Sequence, residues 1–336
     1  MSPRSPNQDR TFADLCDVEA IAMRAMKFLM LAVLLIAAPA TAQTTAPAAA
    51  APTTPPTVQA PPRHDLPEIK AAGKLRHLGL PYANFVTGAG DGLDVDLVRM
   101  FCRELGVEYE YVETDWNRTY SDLTGLTFTR TGNEVTITGT TAVRGDMIAH
   151  GMTVLPWRQK LVNFAEPMFP TQIWLIAPAT SHTAPITPTG TLAGDIALTF
   201  KLINGVSVLA KPNTCLDPKL YDLAGRGARV VNYEGSLNHM APNLLGGMAD
   251  LTILDVPDAL VALRRWQGKV KILGPLSEPQ YMAAAFPKDS PQLEAAFAAF
   301  LARCRADGTY ENLVRKYYPG VWTYFPDFFQ KGATAQ

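Results

Sequence analysis

Histidine and cysteine are scarce, at five and four in 336 residues, and no two of them stand at metal-ligand spacing. His64, His77, His150, His182 and His239 occur singly, so neither a metal site nor a Cys–His nucleophile is expected. A Gly-x-Ser-x-Gly elbow, a His-Glu-x-x-His helix and a P-loop are also missing, which removes the common hydrolase and nucleotide signatures and leaves no cofactor to expect. Neither charge predominates: 30 Lys and Arg against 31 Asp and Glu give a net charge of −1, the bases are scattered, and no nucleic-acid partner is implied. The chain does have apolar content, 47 % of its residues, sufficient for one large or two medium lobes with their own cores.

The one long apolar run, residues 28–38, follows Lys27 and precedes Ala40-Thr41-Ala42, small residues where a signal peptidase reads. Residues 1–42 therefore read as a secretory signal peptide cleaved after Ala42. Asp9, Asp14, Asp17 and Glu19 fit poorly in a positive leading segment and point to a start at Met23 or Met26. An uncleaved membrane anchor is the competing reading of the same run, which is short for a bilayer. Residues 43–63 are nearly all Ala, Pro, Thr and Gln and read as a disordered tether. With Cys16 in the leader, Cys102, Cys215 and Cys304 remain, enough for at most one internal disulfide.

From His64 onward, short apolar strands alternate with amphipathic helices, the pattern of α/β layers. Strands are expected at 75–80 and 107–112, with a helix at 94–105 that places Leu97, Val98, Phe101 and Leu105 on one face and stops at Gly106. Residues 126–129 and 135–138 alternate around Thr131-Gly-Asn133 and predict an inserted β-hairpin. The second half predicts strands at 206–210, 228–233, 251–254 and 270–273, with helices after Thr214, at 237–245 and at 257–266. A strand at 282–286, a helix capped by Ser290-Pro291 and running to about Ala306, and a short helix at 310–317 complete the pattern.

The most informative stretch is Gly151-Met-Thr-Val-Leu-Pro-Trp-Arg158, followed by Asn163-Phe-Ala-Glu-Pro-Met-Phe169. Pro156 favours the first turn of a helix, so the Thr153 hydroxyl and the Arg158 guanidinium would sit beside free backbone N–H groups, an arrangement that invites a carboxylate. A strand-to-helix turn bearing a solvated arginine explains the same residues. Other motifs accompany it: Lys74-Leu-Arg-His-Leu-Gly-Leu-Pro-Tyr-Ala-Asn-Phe85, Gly92-Leu-Asp-Val-Asp-Leu97, Val162-Asn-Phe-Ala-Glu-Pro167, Gly247-Met-Ala-Asp-Leu-Thr-Ile-Leu-Asp255 and Asp307-Gly-Thr-Tyr310. In this order, between about residues 70 and 319, they resemble the extracytoplasmic solute-binding proteins of family 3, the capture subunits of ABC importers for polar amino acids.

The resemblance implies a two-lobed α/β fold of the periplasmic-binding-protein type II, each lobe a mixed sheet flanked by helices. Lobe 1 would comprise residues 64–173 plus 281–329 and lobe 2 residues 174–280, joined by a two-strand hinge near 172–176 and 279–283. It implies that Arg158 pairs with the ligand's α-carboxylate, helped by Thr153 and the backbone of Gly151, and that Asp255 takes the α-ammonium. Tyr82 and Trp116 would sandwich the ligand side chain, and Asn213 and Thr214 would add a second grip on the carboxylate. Read alone, Tyr82 and Trp116 are ordinary core or rim aromatics, and Asp255, Asn213 and Thr214 are ordinary helix caps. The expected protein is a periplasmic monomer that delivers an amino-acid-like zwitterion to ABC importer membrane subunits and is not an enzyme.

Three departures from the family pattern stand out. Leu155 replaces a capping threonine, the hairpin and the spacer at 175–202 are long, and the segment between Leu78 and Tyr82 is short. A Cys102–Cys304 disulfide is expected because both lie on helices of lobe 1. The alternatives are an exported dehydratase-like enzyme on the same scaffold and a ligand sensor.

Overall fold

Strand β1 (Lys74–Gly79) pairs in parallel with β2 (Glu108–Glu113), whose Glu-Tyr-Glu-Tyr alternation suits a sheet edge with one face in water. A computed structural model of the chain describes residues 64–330, so the expected signal peptide and the expected tether lie outside the described residues. After β2 comes an antiparallel hairpin, β3 (Leu126–Thr131) and β4 (Glu134–Thr140), the insertion expected from its alternation. β5 (Met147–Ile148) and β6 (Val162–Phe164) complete the outward path of the first sheet.

The chain then crosses through β7 (Phe169–Thr171) into a second sheet. This contains β8 (Ile173–Pro178), β9 (Ser207–Ala210), β10 (Arg229–Asn232), β11 (Leu251–Asp255) and β12 (Val270–Pro275). It returns through β13 (Gln280–Met282), paired antiparallel with β7, and ends the first sheet with β14 (Ala285–Pro287). The strand orders are β2-β1-β5-β14-β6 and β10-β9-β11-β8-β12. Both sheets are mixed, because β14 and β8, the strands next to the crossings, run antiparallel to their neighbours. β8 and β11 are buried almost throughout, which is why β8 reads as an unbroken apolar run and β11 as an apolar run interrupted only by Thr252 before it ends at Asp255.

Several expectations change in detail. The crossing pair is β7 with β13, so the first crossing strand precedes the expected 172–176, of which 173–176 belong to β8. The expected strand at 282–286 is split into β13 and β14, separating the crossing from the re-entry into the first sheet. Thr214 is followed by a 3-10 turn, Pro218–Tyr221, rather than an α-helix, and Asn213 takes a left-handed φ of 62°. A helix not anticipated, Leu192–Lys201, fills the long spacer and is capped by the Thr191 side chain.

The helix Leu93–Leu105 buries Leu97, Val98 and Phe101 as expected, with Leu105 only partly covered, and ends at Gly106 in the left-handed conformation. Ser290 does not cap Pro291–Ala306 with its side chain; its hydroxyl donates to the His64 carbonyl. Asp65 caps that helix instead, accepting from the Gln292 and Leu293 amides at 3.2 and 2.8 Å, while also capping its own helix Leu66–Ala72. Cys102, Cys215 and Cys304 are all free and buried, so the expected disulfide is absent. All described residues fall in one compact unit.

Candidate functional site

Arg158 is the largest fully buried side chain among the described residues, with no exposed surface. It rides on the one-turn helix Pro156–Gln159, whose N-cap Leu155 supplies no side-chain bond. Its Nη1 donates to the Thr153 carbonyl at 2.8 Å. Three aromatic rings wall it in, with Cζ 5.8 Å from the Trp116 and Tyr120 centroids and 5.3 Å from that of Trp157. Its Nε and Nη2 are buried without a hydrogen-bond partner. Those two N–H groups form one edge of the planar guanidinium, the edge that binds a carboxylate in bidentate fashion. A solvated arginine is thereby excluded.

Asp255 ends β11 and is likewise fully buried. Its Oδ2 accepts from the Tyr82 hydroxyl at 2.5 Å and from the Cys215 thiol at 3.3 Å, while Oδ1 has no partner. Burial holds the Tyr82 and Cys215 protons on, far above their usual ranges, so both remain neutral donors. Burial also raises the Asp255 carboxyl, opposed by the bonds from Tyr82 and Cys215. Asp258, one helical turn on, is driven well up by burial and by the charge of Asp255, so of the two carboxyls Asp258 keeps the proton.

Of the other expected residues, Tyr82 is buried and Trp116 half-buried, but their rings meet each other edge to face at 5.6 Å. The Gly151 amide donates to the Asp94 carboxylate at 2.7 Å, so this glycine holds the loop rather than presenting its N–H. Thr153 is buried, its carbonyl on Arg158 and its side chain beside the Cys215 thiol. The Thr214 hydroxyl donates to the Lys211 carbonyl and accepts from the Leu216 amide, and Asn213 is exposed with its amide directed to Asp217. The structure therefore brings Tyr82, Trp116, Thr153, Arg158 and Asp255 together around Cys215, and leaves Asn213 and Thr214 to shape the loop that delivers this thiol.

Sequence reasoning missed Cys215, Asp258, Tyr120, His150 and Gln280. Gln280, on β13, has a buried and unpartnered Oε1. His150 meets Trp116 edge to face at 5.0 Å, and burial depresses its pKa to about 3, which keeps it neutral. Asp258 was signalled by its i, i+3 relation to Asp255; Cys215 had only its adjacency to Thr214. A separate surface depression of about 440 Å³ lies at His64, Lys74, Arg76 and Arg144, away from this cleft. Its Lys and Arg side chains are already paired, Lys74 with Glu110, Arg76 with Asp146 and Arg144 with Asp122.

Two mixed sheets joined by a crossing strand pair, with Tyr82 of the first part bonded to Asp255 of the second sheet, define a two-lobed binding-protein fold. The chain belongs to the bacterial extracellular solute-binding proteins, family 3, whose pattern matches residues 125–320. It is similar in structure to a mutant of ArgBP from T. maritima, with a TM-score of 0.59 and 23 % identity, covering 76 % of this chain and 99 % of that one. It is also similar to the ancestral amino acid-binding protein AncCDT-1, a precursor of cyclohexadienyl dehydratase, with a TM-score of 0.58 and 22 % identity over 75 % and 98 % of the two chains. In sequence it is similar to membrane-bound lytic murein transglycosylase F of Desulfosudis oleivorans, 23 % identical over 236 residues, or 69 % of this chain. The chain spans 45 % of that relative's length.

Proposed function

We propose that this protein captures a small zwitterion of the amino-acid class between its two lobes and hands it, in the periplasm, to the membrane subunits of an ABC importer. The observation that carries the reading is the pair of unpartnered N–H groups on Arg158 buried in the same cleft as the unpartnered oxygen of Asp255. A buried donor or acceptor left unpaired costs about 1–3 kcal/mol, more when it is charged, so a carboxylate on Arg158 and an ammonium on Asp255 would relieve both defects at once. Arg158 belongs to the part of the chain that precedes the crossing and Asp255 to the second sheet. A guest bridging them favours the closed arrangement, and its differential affinity for that arrangement drives closure. The structural relatives, ArgBP and an amino acid-binding ancestor, support the same ligand class.

A thermal-shift screen with amino acids and related zwitterions tests this. At least one should raise Tm, and Arg158→Ala should abolish that rise while the ligand-free protein still melts cooperatively. An unchanged rise in the variant refutes the site. A second reading, a sensory lobe of a cell-wall-associated system, is favoured by the murein transglycosylase relative. It differs from the first in predicting the same ligand response without permease and ATPase genes beside this one. Turnover of prephenate-like acids would instead establish a dehydratase-like enzyme.

A further inference from the structure

The β3–β4 hairpin reaches beyond its own sheet. Phe128, on β3, packs 6.3 Å from the Tyr120 ring and 6.2 Å from the Trp157 ring, two of the walls around Arg158. Two residues further, the Arg130 guanidinium lies 5.0 Å over the outer face of Trp157. Its Nη1 donates to the Gly132 carbonyl at 2.9 Å, which orients the head group within the hairpin. Its Nη2 then donates to Asp217 Oδ2 at 2.8 Å, and the two side chains are only 16 % and 4 % exposed. Asp217 belongs to the other side of the cleft: it follows Cys215 by two residues and caps the turn Pro218–Tyr221 through Lys219 N. The opposite strand of the hairpin is tied down by Lys160 and Glu134 at 2.8 Å.

We propose that Arg130 is a positioning residue for ligand capture, a latch that joins the aromatic wall of Arg158 to the loop carrying Cys215 and holds the cleft shut. The consequence for capture rests on the reading of Arg158 given above, whereas the latch itself does not. An ion pair sheltered this well is screened little by salt, and removing one partner leaves the other's charge buried with only its backbone hydrogen bonds. Opening the lobes returns both groups to water, so the pair acts on the closed form alone. Tyr82 to Asp255, the Ala83 amide to Asn238 Oδ1 at 2.7 Å and the Thr153 side chain to the Cys215 thiol also cross the cleft, but the hairpin takes part in none of these.

The thiols make the test independent of any ligand. Cys215 is buried in the cleft, whereas Cys102 and Cys304 are buried on the helices Leu93–Leu105 and Pro291–Ala306, so the three report cleft opening and general unfolding separately. The full exported chain is treated with N-ethylmaleimide, and modification at each cysteine is followed by peptide mass. Arg130→Gln should speed Cys215 roughly ten-fold, equivalent to about 1.4 kcal/mol lost from the closed form, with Cys102 and Cys304 unchanged. Asp217→Asn, which keeps an acceptor for the turn, should do the same. The double variant should be no faster than either single one, and Arg130→Lys should recover most of the protection. An unchanged Cys215 rate, additive single effects, or a parallel rise at all three cysteines overturns the latch. Because no ligand is added, a failed thermal-shift screen leaves this result intact, and an intact ligand response leaves it equally open to refutation.

Discussion

Gly151 shows how one position can be demanded by geometry without touching a ligand. Its φ is 71°, and a Cβ there would drive into the Phe85 ring, while its amide is held by Asp94. Gly151→Ala should therefore cost about 2 kcal/mol or more in urea unfolding and also weaken any ligand response, since the segment it starts carries Thr153 and Arg158. A change below about 0.5 kcal/mol would show that the loop relaxes freely. Arg158 and Asp255 were named in the sequence through the resemblance to the solute-binding family, which points to positions but not to their surroundings. Their unpaired atoms were not, since satisfaction of a polar group depends on every neighbour brought near by the fold. Cys215 was illegible for the same reason: nothing in Asn213-Thr214-Cys215 tells which of the three points at Asp255.

Helix ends show where local rules hold and where they yield to neighbours from distant sequence. The stop at Gly106 and the start at Pro291 were both readable, because each is a backbone constraint carried by one residue. The cap at Pro291 was not. Asp65, more than two hundred residues earlier, satisfies its first amides and those of its own helix together. Asp65→Ala should thus lose two caps, about 2 kcal/mol, where Ser290→Ala loses about 1 or less, a contrast readable from paired chemical denaturation curves. Equal effects would contradict the shared cap. The turn after Thr214 likewise stayed short of an α-helix, with Asn213 and Asp222 both at positive φ, backbone states that periodicity does not encode.

The molecule as a unit titrates through groups far from its surface. His77 is fully buried, donating from Nε2 to the Ala149 carbonyl and accepting at Nδ1 from the Tyr109 hydroxyl, and burial lowers its pKa from 6.5 to about 4. Between those values the unfolded chain binds the proton and the folded one does not, so this residue's contribution to stability is lost as pH falls from 6.5 toward 4. The stability gap between wild type and His77→Gln should shrink by about 3 kcal/mol over that range. Asp94 has the opposite sign: burial raises it from 3.8 to about 7, the folded state holds the extra proton, and wild type gains on Asp94→Asn as pH falls through that window. A gap that stays constant with pH in either variant would remove the residue from the account. The alternation of strands and helices, the apolar faces, the inserted hairpin and the family motifs are properties of short windows, and the chain alone determined them. The crossing between sheets, the helix cap shared by Asp65, the proton on Asp258 and the reach of Arg130 to Asp217 were decided only by tertiary structure. Each depends on the distance and dielectric between groups far apart in the chain, which no window of residues contains.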